Sequence, residues 1–320
     1  FLAAAGWGGA AVEPLPGDAS FRRYFRVTGG DRTAMLMDAP PPAEDPVPFL
    51  RAARWLSDNA MRAPQIYAED ARRGLVLLED FGDVRMREHL DAAPGDEEEI
   101  YAAAVDALVG LHRLPPGPFT AYSLAEYLRE ARLLSEWYCP ARGLYVDNAG
   151  YAAAWEQALV PLLPRQRPGV TVLRDYHAEN ILRVGGQLHR QGLLDFQDAL
   201  VGHPAYDLVS LLQDARRDVS PELEARMIER YLRQTAGQRD FAADYARLGA
   251  QRNAKIVGIF VRLWKRDGKP RYLAMIPRVW AALERDLAHP ALAPVARWFD
   301  ANIPAELRDP SGVLGGTFAA

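Results

Sequence analysis

The sequence predicts an α+β protein with two lobes, a small one built on an antiparallel sheet and a larger, mostly helical one. Short extended segments separated by turn residues fill residues 12–80, and apolar residues at helical spacing dominate after Gly82. The 320 residues, 49% of them apolar, are enough for one large core or two unequal ones. We expect a hinge at residues 79–82, so that residues 1–82 form the first lobe and residues 83–320 the second.

Five extended segments predict the sheet of the first lobe. They are residues 12–15, 24–27, 33–37, 65–68 and 75–78. Between the third and the fourth, Leu50, Ala53 and Leu56 recur at helical spacing, which predicts a helix over Val47–Asn59. One helix on a five-stranded sheet therefore makes up the first lobe.

Helical patterns fill most of the second lobe. Helices are predicted from residue 97 onward and over 123–138, 148–163, 204–215, 221–235 and 241–265. Three strand-like segments interrupt them, at residues 170–173, 181–184 and 191–194. The residues whose side chains could take part in catalysis or bind a metal ion lie next to these three segments.

The bulk properties of the chain exclude several classes of protein. A formal charge of -4 provides no basic field for nucleic acid, and no apolar run is long enough to cross a bilayer. The single cysteine, Cys139, cannot form an internal disulfide. We therefore expect a cytoplasmic monomer that binds neither nucleic acid nor membrane.

A carboxylate and an amide, Asp175 and Asn180, lie five residues apart between two apolar segments, and Asp195 follows fifteen residues later. Phosphoryl transfer needs an oriented nucleophile and cations on the phosphates. Asp175 could accept the proton of an acceptor hydroxyl, while Asn180 and Asp195 offer the hard oxygen ligands that Mg²⁺ prefers. This ordered set predicts an ATP- and Mg²⁺-dependent kinase of small molecules.

Three other interpretations of these residues stay open at this point. The acids could be turn and cap residues only. A dinuclear metal hydrolase could use Asp175, His177 and Asp195. A nucleotide-binding regulator without turnover could have the same residues and would bind ATP without forming product.

The stretch from residue 173 to 208, which ends in Gly-His-Pro-Ala-Tyr-Asp-Leu, resembles the catalytic region of the aminoglycoside phosphotransferase and choline kinase superfamily. The resemblance implies a protein-kinase-like fold, with Asp175 as the base and Asn180 and Asp195 as metal ligands. It also implies that Asp207 braces the catalytic loop. The sequence departs from the family in having Leu173 where His is usual.

The same resemblance assigns nucleotide binding to two upstream segments. In the hinge the candidates are Glu79, Asp80 and Phe81, and in the first hairpin they are Ser20, Phe21, Arg22 and Arg23. No lysine precedes Lys255, and Met37 stands where such kinases carry a third-strand lysine. Either Arg22 or Arg23 supplies the missing charge, or Mg²⁺ neutralises more of it, or the chain is a pseudokinase.

Residues 17–25, 37–41 and 193–208 resemble the anomeric N-acetylmuramate/N-acetylglucosamine kinases of bacterial cell-wall recycling. This resemblance implies that the acceptor is the C1 hydroxyl of a free amino sugar. Another amino sugar, an aminoglycoside or an amino alcohol is the alternative acceptor. His177 and Asp198, which flank the catalytic residues, are candidates for substrate contact.

Two further groups of residues are candidates for binding the sugar. Arg252, Lys255 and Arg262 share one face of a predicted helix, and Arg252 or Arg262 could hold the lactyl carboxylate of muramate. The alternative is a solvated basic face. The aromatic residues of the segment 122–138, among them Tyr122 and Tyr127, could stack on a sugar ring or belong to the core.

Overall fold

A five-stranded antiparallel sheet with the strand order β1-β2-β3-β5-β4 is formed by the first part of the chain. The structure is a computed structural model that describes residues 1–16, 21–185, 191–235, 237 and 239–308. The strands are β1 (Ala11–Pro14), β2 (Arg23–Gly29), β3 (Arg32–Asp38), β4 (Ile66–Asp70) and β5 (Leu75–Glu79). All four pairings are antiparallel, as the five extended segments predicted.

Helix α1 (Val47–Asp58) lies between β3 and β4 in the chain and confirms the predicted helix to within one residue. Its apolar face buries Phe49, Leu50, Ala53 and Leu56, each at most 3% exposed. The sheet contributes a separate cluster of buried residues around Val27. The first lobe is thus one helix and a five-stranded sheet, as predicted.

Helices dominate the rest of the chain. They are α2 (Met86–Ala92), α3 (Glu97–Arg113), α4 (Leu124–Leu133), α5 (Cys139–Ala141), α6 (Asn148–Leu159), α7 (Ala205–Leu212), α8 (Pro221–Gln234), α9 (Phe241–Asp267), α10 (Ile276–Leu287) and α11 (Ala293–Asn302). A π-helical segment, Leu134–Tyr138, links α4 to α5. The predicted helices are confirmed, whereas α2, α5, α10 and α11 were missed. In α10 the signal was present, because Ile276, Val279 and Leu283 recur at helical spacing and are buried.

Two short antiparallel ribbons lie among these helices. Strand β6 (Val170–Val172) pairs with β9 (Leu200–Gly202), and β7 (Ile181–Arg183) pairs with β8 (Gln191–Leu193). The sequence predicted three of these strands and missed β9. The second ribbon matters most for function, since Asn180 and Asp195 lie at its end.

The contacts within the chain divide it into two compact units. One contains Phe1–Ala104 together with Ala178–Ala199, and the other contains Val105–His177 together with Leu200–Ala320. The ribbon of β7 and β8 joins the first unit through backbone hydrogen bonds, such as the one from Leu193 to the Arg62 carbonyl at 2.8 Å. The lobe boundary at residue 82 stays a prediction about domain organisation.

None of the helices in the described part of the chain has both the length and the hydropathy to span a membrane. The longest, α9, has 27 residues but buries polar side chains such as Gln251 and Asn253, both fully covered. These polar groups make hydrogen bonds inside the second unit, which explains how they are tolerated in the core.

Candidate active-site residues

Asn180 and Asp195 are brought together by the register of the ribbon in the first unit. Ile181 pairs with Leu193, so the residue before β7 and the residues after β8 meet at one end. The backbone N–H of Leu194 donates to the Asn180 carbonyl at 2.9 Å. The side-chain amide of Asn180 donates to Oδ2 of Asp195 at 3.3 Å. The sequence placed both residues at segment ends, and the pairing explains why they converge.

Asp195 is held in place by its neighbours in the chain. Its φ of +58° lies in the left-handed region, which costs a residue other than glycine some free energy and is often found at functional sites. The next residue, Phe196, is fully buried and its ring stacks on Phe49 of α1 at 5.2 Å. The Gln197 amide donates to Oδ1 of Asp195 at 2.6 Å. A buried anchor thus holds an exposed carboxylate, with the candidate Asp198 exposed in the same turn.

The chemistry of these side chains fits a Mg²⁺ ion. Amide and carboxylate oxygens are hard ligands, and Mg²⁺ needs only one or two carboxylates because waters and substrate phosphates complete its shell. Throughout the described residues, no group of three or more His, Cys, Asp or Glu side chains could hold a metal ion.

Asp175 lies in the second unit, in a loop whose backbone is fixed by α7. The buried carboxylate of Asp207 accepts the backbone N–H groups of Leu173 and Arg174 at 2.6 and 2.8 Å. Ser210, one turn further along α7, donates its hydroxyl to the Arg174 carbonyl at 3.1 Å. Arg174 adopts φ +74°, a strained conformation that these three hydrogen bonds hold. These hydrogen bonds are the ones that a bracing role for Asp207 requires. At position 173, where the family usually has His, the donor is the backbone N–H of Leu173.

The surroundings of Asp175 favour its ionised form. Burial raises the pKa of this carboxyl, but the electrostatic effects of Lys255, His177 and Arg252 outweigh burial and hold the pKa below its ordinary value. Burial raises the pKa of Asp207 to about 7, in spite of its two backbone hydrogen bonds. The two acids thus differ, and Asp175 is the one that is ionised throughout the neutral range.

The remaining candidates for substrate contact have different surroundings. His177 is 4% exposed, and burial lowers the pKa of its imidazole, so that it is neutral at pH 7. Its Nε2 lies 3.4 Å from the Arg216 guanidinium. Arg252 is 3% exposed, whereas Arg262 is partly buried. A solvated basic face is therefore the wrong interpretation of the Arg252 and Lys255 positions.

The aromatic residues proposed to stack on a sugar belong to the core instead. Tyr122 and Tyr127 are fully buried and stack on each other at 3.9 Å. Tyr138 is likewise buried. The stacking hypothesis is wrong for these three residues, because a ring that packs inside the protein has no face left for a ligand.

The two arginines of the first hairpin differ in their surroundings. Arg22 donates from Nε to Glu44 at 3.1 Å, and both side chains are largely covered, with 13% and 14% exposed. Arg23 pairs with Asp38 but keeps 63% of its side chain exposed. Phe21 is 73% exposed, and Ser20 lies outside the described residues. Of the hairpin candidates, only Arg22 forms a partly buried ion pair.

The hinge residues Glu79 and Asp80 use their side chains within the first unit. Arg62 donates to Glu79 at 2.7 Å and holds the pKa of this carboxyl below its usual value. Arg26 donates from Nε to Asp80 at 2.8 Å. Phe81 packs so closely on Gly192 that a Cβ there would lie 2.5 Å from its ring. Because both carboxylates are engaged, contact with an adenine would fall to the hinge backbone.

Comparison with known proteins identifies the family. The sequence model described as "Phosphotransferase enzyme family" matches residues 11–250, three quarters of the chain. The chain belongs to the phosphotransferase enzyme family. It is 38% identical to an N-acetylmuramate/N-acetylglucosamine kinase from Caulobacter vibrioides, over 96% of each chain. It is also 38% identical to a kinase of the same name from Pseudomonas aeruginosa, over 91% of this chain and 89% of that one.

Solved structures of other phosphotransferases share the fold. A choline/ethanolamine kinase family protein from Mesorhizobium loti superposes with a TM-score of 0.62 at 18% identity, covering 93% of this chain and 96% of that one. An aminoglycoside phosphotransferase from Streptomyces rimosus, in complex with ADP and streptomycin, gives a TM-score of 0.55 at 20% identity, covering 79% and 96%. The predicted protein-kinase-like fold is confirmed.

Sequence reasoning missed a buried carboxylate in the second unit, Glu130, which contacts two cations. Glu130 is 1% exposed and contacts both Arg174 and Lys255. A signal was present, because Glu130 lies between Tyr127 and Leu134 on the buried face of its helix. A carboxylate on an apolar helix face requires a buried cation as partner, and the sequence does not show which one.

Proposed function

We propose that this phosphotransferase transfers the γ-phosphoryl group of ATP to the anomeric C1 hydroxyl of N-acetylmuramate and N-acetylglucosamine, as a step in peptidoglycan recycling. The observation that carries the proposal is the match to curated kinases of that name at 33–38% identity along most of the chain. An anomeric hydroxyl is more acidic than an ordinary alcohol, which suits a carboxylate base of low pKa such as Asp175.

Each site residue has a proposed role in this reaction. Asp175 accepts the proton of the attacking hydroxyl. Asn180 and Asp195 would hold Mg²⁺, which when bound neutralises charge on the phosphates. Asp207 keeps the loop of Asp175 in its strained conformation. The backbone at Glu79, Asp80 and Phe81 is proposed to contact the adenine.

The experiment that tests the function is phosphate transfer from Mg²⁺-ATP across a panel of free sugars, aminoglycosides and choline. The product is analysed by NMR. We expect consumption of ATP only in the presence of N-acetylmuramate or N-acetylglucosamine, with formation of the sugar 1-phosphate. A phosphate on any other hydroxyl would contradict the proposed regiochemistry, and transfer only to choline or an aminoglycoside would contradict the substrate.

We propose Arg22, rather than Arg23, as the phosphate-binding cation that replaces the missing third-strand lysine. Kinases pair that lysine with a glutamate, and Arg22 has such a partner in Glu44, just before α1. Burial lowers the pKa of Arg22, but Tyr24, Glu44 and Asp195 outweigh burial and raise it. Asp195, a proposed metal ligand, is thus among the charges that act on Arg22.

Replacing Arg22 with Met is expected to weaken ATP binding about 10- to 100-fold, the scale of one charge-assisted hydrogen bond. Affinity for adenosine, which has no phosphates, should stay unchanged. Both affinities are measured by calorimetry. Arg23→Met is the matched control, because it removes a neighbouring charge that is mostly exposed. Equal weakening of ATP and adenosine would mean that Arg22 supports the fold instead.

Arg252 or Arg262 is the proposed partner of the muramate carboxylate. Within the described residues, Nη1 of Arg252 and Nε of Arg262 are buried polar atoms without a hydrogen-bond partner. A buried donor of this kind is costly unless something accepts from it, and a substrate carboxylate would satisfy it. The other amino group of Arg252 already donates to the Ser210 hydroxyl at 2.8 Å, which fixes the guanidinium.

Replacing Arg252 with Gln should lower kcat/KM for N-acetylmuramate about 10- to 100-fold and affect N-acetylglucosamine much less. The reason is that only the first sugar carries the lactyl carboxylate. Steady-state kinetics with both sugars measure the difference. Arg266→Gln removes an exposed charge from the same helix and serves as control. A loss of equal size with both sugars would show that Arg252 acts on Asp175 or on the shared ring.

We also propose that the enzyme is a cytoplasmic monomer, in line with its single buried cysteine and its acidic charge balance. Light scattering during gel filtration measures the mass in solution. A dimeric mass would contradict the proposed monomer.

A further inference from the structure

Lys255 is a buried ammonium group in the middle of helix α9. Its side chain is 11% exposed, and Nζ lies 3.0 Å from Oε1 of Glu130. It also donates to the Tyr206 hydroxyl at 3.3 Å. A buried ion pair adds little net stability, because the cost of desolvating two charges offsets their attraction. Stability alone therefore does not explain why a lysine occupies this position.

The charges around Glu130 do not balance. The Arg174 guanidinium forms a second ion pair with the same carboxylate. The Tyr122 hydroxyl and the Gln251 amide also donate to it, and both of these are neutral. The Glu130 carboxylate thus contacts two positive charges inside the second unit. Arg174 directly precedes Asp175 in the chain, and both cations favour the ionised form of the Asp175 carboxylate.

Charged groups from three elements act on Asp175. Lys255 and Arg252 come from α9, Arg174 and His177 from its own loop, and Asp207 from α7. Among the groups that favour the ionised carboxylate, Lys255 has the largest effect. Asp207 is the only anion of this set, and it has two backbone N–H groups as partners. Among these groups, Lys255 is therefore the one whose removal should raise the pKa of the Asp175 carboxyl most.

We propose that Lys255 is a positioning residue for phosphoryl transfer, which together with Glu130 and Arg174 supplies the positive charge that keeps Asp175 able to accept a proton. Glu130 fixes both cations, because its carboxylate contacts Lys255 and Arg174 at once. Lys255 itself takes no part in bond making. The inference rests on the proposed role of Asp175 as the base. It adds that a residue of helix α9, far from Asp175 in the chain, keeps this base able to accept a proton.

The test is the pH dependence of kcat/KM in the variant Lys255→Met. The acid limb of the wild-type enzyme is expected below the range of an ordinary carboxyl, because the pKa of Asp175 is below its usual value. Without the positive charge, the acid limb should move up by about one pH unit or more, the usual effect of losing an opposite charge at close range. The KM for ATP should change little, because Lys255 acts through Asp175.

Three further variants make the result specific. Lys265→Met removes an exposed lysine from the same helix and should leave the pH profile unchanged. Lys255→Arg keeps the charge and should keep the acid limb near its wild-type position. If Lys255→Met does not fold, Lys255→Gln carries the same expectation, because Gln can still hydrogen-bond to Glu130 and Tyr206.

An unchanged acid limb in a folded, uncharged variant would overturn the proposal, and so would a shift of the same size in Lys255→Arg. Neither result would contradict the proposed role of Asp175 as the base. That role is tested separately by Asp175→Asn, so the two failures can be told apart.

Discussion

Replacing Asp175 with Asn is expected to lower kcat by a hundredfold or more, about 2.7 kcal/mol in the activation barrier, while ATP still binds. Asn has nearly the same shape but cannot take the proton of the acceptor hydroxyl. The backbone of the loop should stay in place, because Asp207 and Ser210 hold it without using the Asp175 carboxylate. Single-turnover transfer to N-acetylglucosamine measures the chemical step.

Controls separate this loss from a loss of folding. Asp175→Asn leaves the cations around Glu130 without a second anion, so its melting temperature and its affinity for ATP must be measured beside its turnover. Asp218→Asn is the matched control in the same unit, since its carboxylate is 82% exposed and pairs with Arg278 at the surface. It should keep wild-type turnover. Near-normal turnover of Asp175→Asn would remove Asp175 from the role of base.

Local sequence pattern predicted those parts of the fold in which apolar spacing decides the structure. Helix α1 was predicted because its apolar residues recur at helical spacing, and they are the residues that it buries. The convergence of Asn180 and Asp195 follows from two neighbouring strands, whose antiparallel pairing joins residues close in the chain. Local order of this kind is visible in a single sequence.

Ion pairs between residues far apart in the chain could not be predicted in the same way. Glu130 lies on α4 and Lys255 on α9, and only the packing of the two helices brings the carboxylate and the ammonium group together. The sequence shows a carboxylate on an apolar helix face and a basic stripe on another helix. It does not show that these two features face each other, so the stripe could equally have been solvated surface.

The missing third-strand lysine illustrates the same limit. The sequence offered Arg22 and Arg23 as equal replacements, because the two are adjacent. The structure distinguishes them, since Glu44 covers Arg22 while Arg23 stays largely exposed beside Asp38. Arg22 precedes β2 and Arg23 is its first residue, and the partners that distinguish the two depend on the rest of the fold.

Replacing Asp195 with Ala is expected to abolish transfer and to weaken binding of Mg²⁺-ATP far more than binding of metal-free ATP. The reason is that the carboxylate is proposed to contact the metal ion and not the nucleotide itself. The exposed side chain sits on a turn anchored by the buried Phe196 ring, so its removal should leave the turn intact. Calorimetry with ATP, in the presence of Mg²⁺ and of EDTA, measures the two affinities.

Two companion variants define what the result means. Asn180→Ala should reproduce the selective loss of Mg²⁺-ATP affinity, because its side chain lies against Asp195 at 3.3 Å and is proposed to bind the same ion. Asp198→Ala removes the exposed acid of the same turn, and the difference between the two forms of ATP should stay as in the wild type. If Asp195→Ala weakens both forms equally, the carboxylate does not act through a metal ion, and the proposed ligand set is wrong.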